Sequence, residues 1–257
     1  MRRWWLGGPA AAAFVLAGCG GVTIAPEPVL PKALVEPIPA KVGFVIASDQ
    51  RTYAHNEERL GVPWSVSLGK GQEKLAREVF GAMFREAREF ADLDAARAEP
   101  GLQAIFDPRI EQYSFATARE TGGDYVAVTI RYRINLLAPD GRKYDAFTLT
   151  GYGNSMASGM SNATPLEQAT RAAMRDAAAK FLTQFPEVPV ASQLRRGEVL
   201  VAAAEGSGAA AVPALQAIEA VPVRPSRRGP GSTWIPPRAP TDPAGPTDAT
   251  RATPSGA

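Results

Sequence analysis

The segment at residues 124–141, DYVAVTIRYRINLLAPDG, limits what this chain can fold into more than any other stretch. Its apolar side chains recur at every second position, namely Val126, Val128, Ile130, Tyr132, Ile134 and Leu136. This period of two predicts a β-strand with one apolar face and one mixed face. The PDGR tetrapeptide that follows favours a tight turn, and the chain then returns as KYDAFTLTGYG. The pattern therefore predicts an antiparallel hairpin whose apolar face needs a partner.

Two other segments have the spacing of amphipathic helices, which supply such a partner. In the first, one face carries Leu75, Val79, Phe80, Met83, Phe84, Ala87 and Phe90. The second, TPLEQATRAAMRDAAAKFLTQFP, begins at Thr164 as the predicted N-cap, has Glu167 in a capping box and ends at Pro186. Each apolar stripe is typical of a helix packed on a sheet, so we interpret both as core and not as ligand-binding faces.

Shorter apolar runs predict the remaining strands, at residues 42–46, 64–68, 102–106 and 110–118. The polar stretch at 48–63 and the glycine-, serine- and methionine-rich stretch at 151–161 are interpreted as loops. Pro108 is expected to separate the third strand from the fourth. The order of elements predicts an α+β fold, in which one domain at residues 41–188 has a mostly antiparallel sheet with two amphipathic helices on one face.

The amino terminus has the organisation of an export signal. Two arginines precede an apolar stretch at residues 4–16, which is too short for a membrane-spanning helix. Leu16, Ala17 and Gly18 then lead into Cys19, the one cysteine in the 257-residue chain. These four residues match the lipobox at every position, and the chain here resembles bacterial lipoproteins.

That resemblance implies that residues 1–18 are a signal peptide, removed once the Cys19 thiol has received a diacylglyceryl group. Two or three acyl chains hold a protein stably on a membrane, because each buried CH₂ contributes about 0.8 kcal/mol. In the family an aspartate after the cysteine favours the inner membrane, whereas this chain has Gly20 there. We therefore expect a protein of the cell outer membrane, held on its periplasmic side by the lipid anchor.

Two further segments are predicted to lie outside the domain. Residues 19–40, with five prolines, have the composition of a lipidated amino terminus followed by an extended tether. Residues 189–257 are of low complexity and rich in alanine, glycine and proline, so they are predicted to be largely disordered. Trp234 in this tail is a candidate contact for a partner.

The sequence contains few groups for catalysis or metal binding. His55 is the one histidine, and its place in a polar stretch predicts that it is solvent-exposed. Motifs such as HExxH and CxxC do not occur in the sequence, so neither a metal site nor a cofactor is predicted. Loss of the two signal-peptide arginines brings the net charge from +2 to about zero, which argues against a nucleic-acid partner.

The lipobox, the tether, the order of elements and the closing helix ATRAAMRDAAAKF resemble a broad group of small envelope lipoproteins. The group includes the curli-secretion lipoprotein, penicillin-binding-protein activators and lipopolysaccharide-assembly lipoproteins. The lipobox, the scarcity of catalytic groups and the polar tail together predict a non-catalytic binding or assembly factor for another envelope component, whether a protein, peptidoglycan or lipopolysaccharide. Candidate contacts are Arg131 and Arg133 on the mixed strand face, and Met156 and Met160 in the predicted loop.

Two alternatives stay open at the level of sequence. The first is a subunit of an oligomeric outer-membrane secretion or transport complex, because the strands of the predicted hairpin reach the length of about 9–11 residues that crosses a bilayer. The second is a periplasmic enzyme, which would require a deep pocket lined with paired titratable groups.

Overall fold

Two β-sheets and six helices make up the part of the chain that the computed structural model describes, residues 21–59, 61–157 and 163–202. The strands are β1 (Val22–Ile24), β2 (Ile38–Val45), β3 (Ala54–Arg59), β4 (Val62–Ser67), β5 (Phe84–Phe90), β6 (Ala104–Ala116), β7 (Tyr125–Leu137) and β8 (Lys143–Met156). The helices are α1 (Ser48–Arg51), α2 (Gly69–Met83), α3 (Leu93–Ala98), α4 (Ala118–Thr121), α5 (Ala163–Gln184) and α6 (Pro189–Arg195). A short 3₁₀ turn, Phe185–Glu187, connects α5 to α6.

The larger sheet has five strands in the order β5-β2-β6-β7-β8, and the smaller has three in the order β1-β4-β3. The α+β class with a mostly antiparallel sheet is therefore confirmed, although both sheets are mixed and not purely antiparallel. β2 runs parallel to β5 and to β6, and β1 runs parallel to β4. β2 and β5 are parallel because the chain between them includes α2, and this helix returns the chain to the end of the sheet where β2 begins.

The predicted hairpin is present as β7 and β8, which pair antiparallel in register from Tyr125↔Met156 to Leu137↔Lys143. The loop expected to begin at Gly151 does not begin there, because β8 stays paired with β7 as far as Met156. Met160 and the rest of residues 158–162 lie outside the described residues.

The first predicted helix is only partly correct. α2 ends at Met83, and Phe84–Phe90 instead forms edge strand β5, which pairs with β2. Phe84 is buried, with its ring centroid 5.2 Å from that of Phe106. As part of a strand, Phe84 places its ring in the aromatic core, and the backbone of β5 pairs with β2. A continued helix α2 would not form this backbone pairing.

The folded part extends beyond the predicted limits at residues 41 and 188. β1 lies inside the segment expected to be a tether, and Val22 pairs with Trp64 of β4. At the other end α6 buries Val190, Ala191 and Leu194. The Leu200 amide also donates a hydrogen bond to the Gln103 carbonyl at 2.9 Å. The predicted disorder of the tail from residue 203 onwards, which includes Trp234, lies outside the described residues.

The main core lies between the five-stranded sheet on one side and α2, α5 and the smaller sheet on the other. Its centre is a cluster of aromatic rings that are all at most 2% exposed: Phe44, Phe80, Phe84, Phe106, Phe181 and Phe185. This covered surface of the large sheet is its inner face. A second, smaller cluster on the opposite face packs α3 against Val45 and Ile105. Two helices on one face, as predicted, account for the apolar face of the hairpin.

β6 continues through Asp107 and Pro108, where a break was expected. Pro108 has no amide hydrogen, and the register with β7 shifts between Ile110 and Gln112. Two buried glutamines satisfy backbone groups here. Gln50 Oε1 accepts from the Ile110 amide at 2.8 Å, and Gln72 Nε2 donates to the Pro108 carbonyl at 2.8 Å. These side chains let one long strand pass a proline and a bulge.

Candidate functional site

The side of β6, β7 and β8 that points away from α2 and α5 is a broad polar surface, here called the outer sheet face. It exists because buried and more exposed residues alternate along β7 and β8. Its members are Asp107, Arg109, Gln112, Ser114, Thr129, Arg131, Arg133, Asn135, Thr148, Thr150 and Tyr152. The sequence pattern predicted the β7 part of this face correctly.

Arg131 lies in the middle of the outer sheet face, paired in register with Gln112 on one side and Thr150 on the other. Its side chain is exposed and has neither a hydrogen bond nor an ion pair within the described residues. Arg133, in contrast, is held in place. Its Nη1 lies 3.4 Å from Glu111 Oε1, and its Nε donates to Asn135 Oδ1 at 3.3 Å. The two arginines share one face, but only Arg131 is available to bind an outside group.

Asp107 organises the polar groups beside these arginines. Its Oδ2 accepts hydrogen bonds from Asn135 Nδ2 at 3.0 Å and from Arg109 Nε at 2.9 Å. The hydrogen bond with Asp107 raises the pKa of Arg109, so that this guanidinium stays charged. Sequence reasoning missed this group because it ended the strand at Pro108. Alternation continued past the proline would have placed Asp107 and Arg109 on one face.

One end of the outer sheet face is apolar and exposed. Tyr125 and Met156 pair across β7 and β8, and their side chains are 43% and 68% exposed. Tyr152 lies four residues before Met156 on the same face and is 46% exposed. Exposed apolar side chains that lie together on a surface are candidates for contact with a partner or a membrane. The structure thus places Met156 on a strand of this face, and its role as a contact stays a prediction.

The free edge of β8 is closed by two charged residues of α5. Asp176 Oδ2 accepts from the Tyr152 amide at 2.8 Å, and Lys180 Nζ donates to the Thr150 carbonyl at 2.7 Å. Asp176 and Lys180 also pair with each other at 2.7 Å, and the ammonium lies 4.6 Å from the centre of the Tyr152 ring. The Tyr152 amide and the Thr150 carbonyl are thereby hydrogen-bonded, and they are not available to pair with another strand.

His55 does not lie in an exposed loop, as was expected. It belongs to β3, is half-buried, and has its ring centroid 5.1 Å from that of Tyr113. Its Nε2 lies 3.5 Å from Glu57 Oε2. The polar AHNEER sequence forms a strand because β4 pairs with it along its whole length. In the described parts of the chain, no three His, Cys, Asp or Glu side chains come together in a group able to hold a metal ion.

An internal cavity of about 40 Å³ lies between α2, α5 and the inner face. Gln72 and Tyr132 are its polar lining residues, and burial raises the pKa of the Tyr132 phenol. The volume accommodates molecules of the size of water but no organic substrate. Among the helices within the described ranges, none is both long and apolar enough to span a membrane.

Comparison with known proteins found no matching family model and no matching curated protein. Solved structures with partial similarity include a PelC dodecamer from Paraburkholderia phytofirmans, which is 16% identical with a TM-score of 0.31 and covers 57% of this chain and 94% of its own. A putative neuraminyllactose-binding hemagglutinin homolog from Helicobacter pylori is 8% identical with a TM-score of 0.37, and the match covers 64% of this chain and 91% of the homolog. A minor lipoprotein from Acinetobacter baumannii is 11% identical with a TM-score of 0.31, and the match covers 63% of this chain and 94% of the lipoprotein. With TM-scores this low, none of these similarities supports a functional assignment.

Proposed function

We propose that this protein is a lipid-anchored, non-catalytic binding or assembly factor of the bacterial outer membrane, and that its outer sheet face contacts another envelope component. The lipobox at residues 16–19 supports the anchor, although those residues lie outside the described part of the chain. The observation that carries the proposed contact is the exposed Arg131 guanidinium, which has no ion pair or hydrogen bond to any described residue. It lies at the centre of a sheet face that α2 and α5 leave uncovered.

The chemistry around Arg131 suggests what the partner presents. A guanidinium offers planar, paired N–H donors, which match the oxygens of a carboxylate or a phosphate. Thr129 and Thr150 flank it on the same face and add hydroxyl groups. The matching partner chemistry is therefore anionic, as in acidic protein segments, the carboxylates of peptidoglycan and the phosphates of lipopolysaccharide.

The proposal is tested by photo-crosslinking in cells, with a crosslinking amino acid placed at position 131 of the full-length protein. Arg175, an exposed arginine on α5, provides the matched control position. We expect a discrete adduct from position 131 and none from 175, and we expect Arg131→Glu to reduce co-purification of that adduct's partner at least several-fold. Equal labelling at both positions, or undiminished co-purification with Arg131→Glu, would argue against this face as the contact.

A second candidate is a subunit of an oligomeric secretion or transport complex, which the 14-residue edge strand β8 favours. The inner side of the hairpin is covered by α5, so a membrane-inserted hairpin would require that helix to leave the sheet. The oligomer compatible with the structure is therefore one of intact domains. Sedimentation of the detergent-extracted lipoprotein distinguishes the candidates, because a ring gives a discrete high mass and a monomeric adaptor does not.

A further inference from the structure

The chain enters the fold almost immediately after the lipobox cysteine. Val22 begins β1 and pairs with Trp64, and Gly21 is so close to Pro63 that an added Cβ would lie 2.7 Å from the Pro63 carbonyl oxygen. Two Cα-to-Cα steps of about 3.8 Å separate Cys19 from Gly21. The Cys19 Cα therefore lies within about 8 Å of the Gly21 Cα, whatever path those residues take.

Gly21 lies beside Pro63 at one end of the domain, here called the anchor end. The anchor end contains the end of β3, the start of β4, α4 and the start of β7. These parts are joined, since Arg59 Nη1 lies 2.7 Å from Glu120 Oε1, and the Thr121 hydroxyl donates to the Tyr125 carbonyl at 3.0 Å. The exposed side chains of Tyr125 and Met156 lie at this end.

We infer that the anchor end rests directly on the lipid headgroups of the membrane that holds the acyl chains. This inference depends on the proposed lipidation of Cys19 and adds the orientation of the domain to it. Only Gly20 separates Cys19 from Gly21, so lipidation of Cys19 would hold the anchor end close to the membrane. Val62, Tyr125 and Met156 are exposed apolar side chains of this end. Tyrosine is suited to this position, because its ring is apolar and its hydroxyl reaches polar headgroups.

The charges at the anchor end indicate what kind of contact this is. The charged side chains among the described residues of this end are Glu57, Glu58, Arg59, Arg119, Glu120 and Asp124. Acidic groups outnumber basic ones, so anionic lipids would not attract this surface. The contact therefore depends on the acyl anchor and on apolar and hydrogen-bonding side chains, and it should be at least as close on zwitterionic as on anionic vesicles.

The opposite end of the β7–β8 hairpin points away from the membrane in this orientation. β7 has 13 residues, which at about 3.3 Å per residue gives a strand of about 40 Å. Arg131 lies six residues from Tyr125 and so about 20 Å from the anchor end. The outer sheet face would thus stand upright on the membrane, with its free arginine near the middle.

Spin labelling tests this orientation, because the single native cysteine carries the lipid and an introduced cysteine is labelled uniquely. Nitroxides are placed in the full lipidated protein through Val62→Cys at the anchor end and through Lys143→Cys at the far end, as the matched control. The proteins are reconstituted into phosphatidylethanolamine–phosphatidylglycerol vesicles and into phosphatidylcholine vesicles. The measurement is collisional accessibility to oxygen, which partitions into lipid, relative to a water-soluble nickel chelate.

We expect the oxygen-to-nickel ratio at position 62 to exceed that at 143 several-fold in both vesicle types. A Gly/Ser insert of about 12 residues between Gly20 and Gly21, with an end-to-end distance of about 19 Å, should remove the difference while the protein still co-sediments. Co-sedimentation with equal, water-like ratios at both positions of the protein without the insert overturns the orientation but leaves the anchor intact. Failure to co-sediment overturns the lipidation and the orientation together.

Discussion

Gly151 and Gly153 determine how closely α5 can approach β8. A Cβ at these positions would lie 2.1 Å from the Ala173 carbonyl oxygen and 2.0 Å from the Ala169 carbonyl oxygen. No side chain fits such a gap, so the helix backbone and the strand are in direct contact. The small side chains of Ala169 and Ala173, both fully buried on α5, make this approach possible from the other side.

The first prediction concerns these glycines. Gly151→Ala should lower the free energy of unfolding by about 1–3 kcal/mol, because α5 must move to make room. Gly81→Ala is the matched control: this glycine lies in α2 with open space around its Cβ position, so alanine should stabilise by about 0.5–1 kcal/mol. Equilibrium urea unfolding of both variants measures this. Equal effects in the two variants would contradict the close contact.

Glu120 has a similarly specific role at the start of α4. Its carboxylate accepts from the Thr117 amide at 2.8 Å and from the Thr117 hydroxyl at 2.9 Å, and it pairs with Arg59. The hydrogen bond from the Thr117 amide, with those from the Thr117 hydroxyl and Arg59, lowers the pKa of Glu120. Since the folded-state pKa is lower than the unfolded-state pKa, the carboxylate stabilises the fold above the unfolded value, and this stabilisation is lost as the pH falls through the folded value.

The second prediction follows from this pH dependence of the stabilisation by Glu120. Glu120→Gln should lower the free energy of unfolding by about 0.5–2 kcal/mol at neutral pH, the range for loss of a helix cap. This decrease should become smaller as the medium is acidified below the ordinary glutamate pKa. Glu58→Gln, at an exposed neighbouring position, should change stability little at either pH. Urea unfolding at neutral and acidic pH measures both. A Glu120→Gln cost that does not depend on pH would show that the carboxylate charge is irrelevant.

At the scale of elements, the edge of β8 decides whether the five-stranded sheet is closed to other chains. Asp176→Ala removes the acceptor of the Tyr152 amide and the partner of Lys180. We expect this variant to self-associate, because an uncapped edge strand pairs readily with another strand. The control is Glu167→Ala, which removes a comparable i,i+4 pair with Arg171 on the same helix. Sedimentation velocity over a concentration series should show association of the Asp176 variant alone; a monomeric Asp176 variant would refute a protective role for this pair.

Element types were predictable where one period dominated the sequence. The hairpin and α5 follow from alternation and from an uninterrupted helical stripe, respectively. The segment FREAREF was misassigned because Phe84, Ala87 and Phe90 also fit a helical spacing. Only pairing with β2, which is distant in sequence, determines that it is a strand. The same limit explains β3, whose AHNEER sequence has no strand propensity and depends on β4 for its pairing.

The candidate site was predictable to a similar extent. Arg131 and Arg133 were placed on one face by alternation alone, and the structure has them there. Arg133 is held by Glu111 and Asn135, whereas Arg131 has no side-chain partner in the part of the chain that the structure describes. This difference could not be predicted, since it depends on the register between β6 and β7. The bulge after Ile110 shifts that register, and a bulge leaves no clear signal in a single sequence.

For the whole molecule, the same β-strands that build the core would also set the distance between the proposed lipid anchor and the proposed contact. β1 fixes the chain near Cys19, and β7 runs from the anchor end past Arg131 to the distal turn. A partner bound at Arg131 would therefore meet this protein at a defined height above the lipid. The composition of residues 19–40, with its five prolines, predicted an extended tether instead and gave no sign of the three-residue strand β1.

The last prediction concerns the carboxyl-terminal limit of the fold. A chain ending after Ala202 should unfold at nearly the same urea concentration as the full-length protein, since the removed residues have the composition of a disordered tail. A chain ending after Val188 loses Val190, Leu194 and Leu200, which are all buried. At about 1.5–3 kcal/mol for each such side chain, this loss approaches the stability of a whole domain. The shorter chain should therefore unfold at much lower urea. If it unfolded at the full-length midpoint, the packing of α6 on the core would be irrelevant to stability, and the domain would end where the sequence suggested.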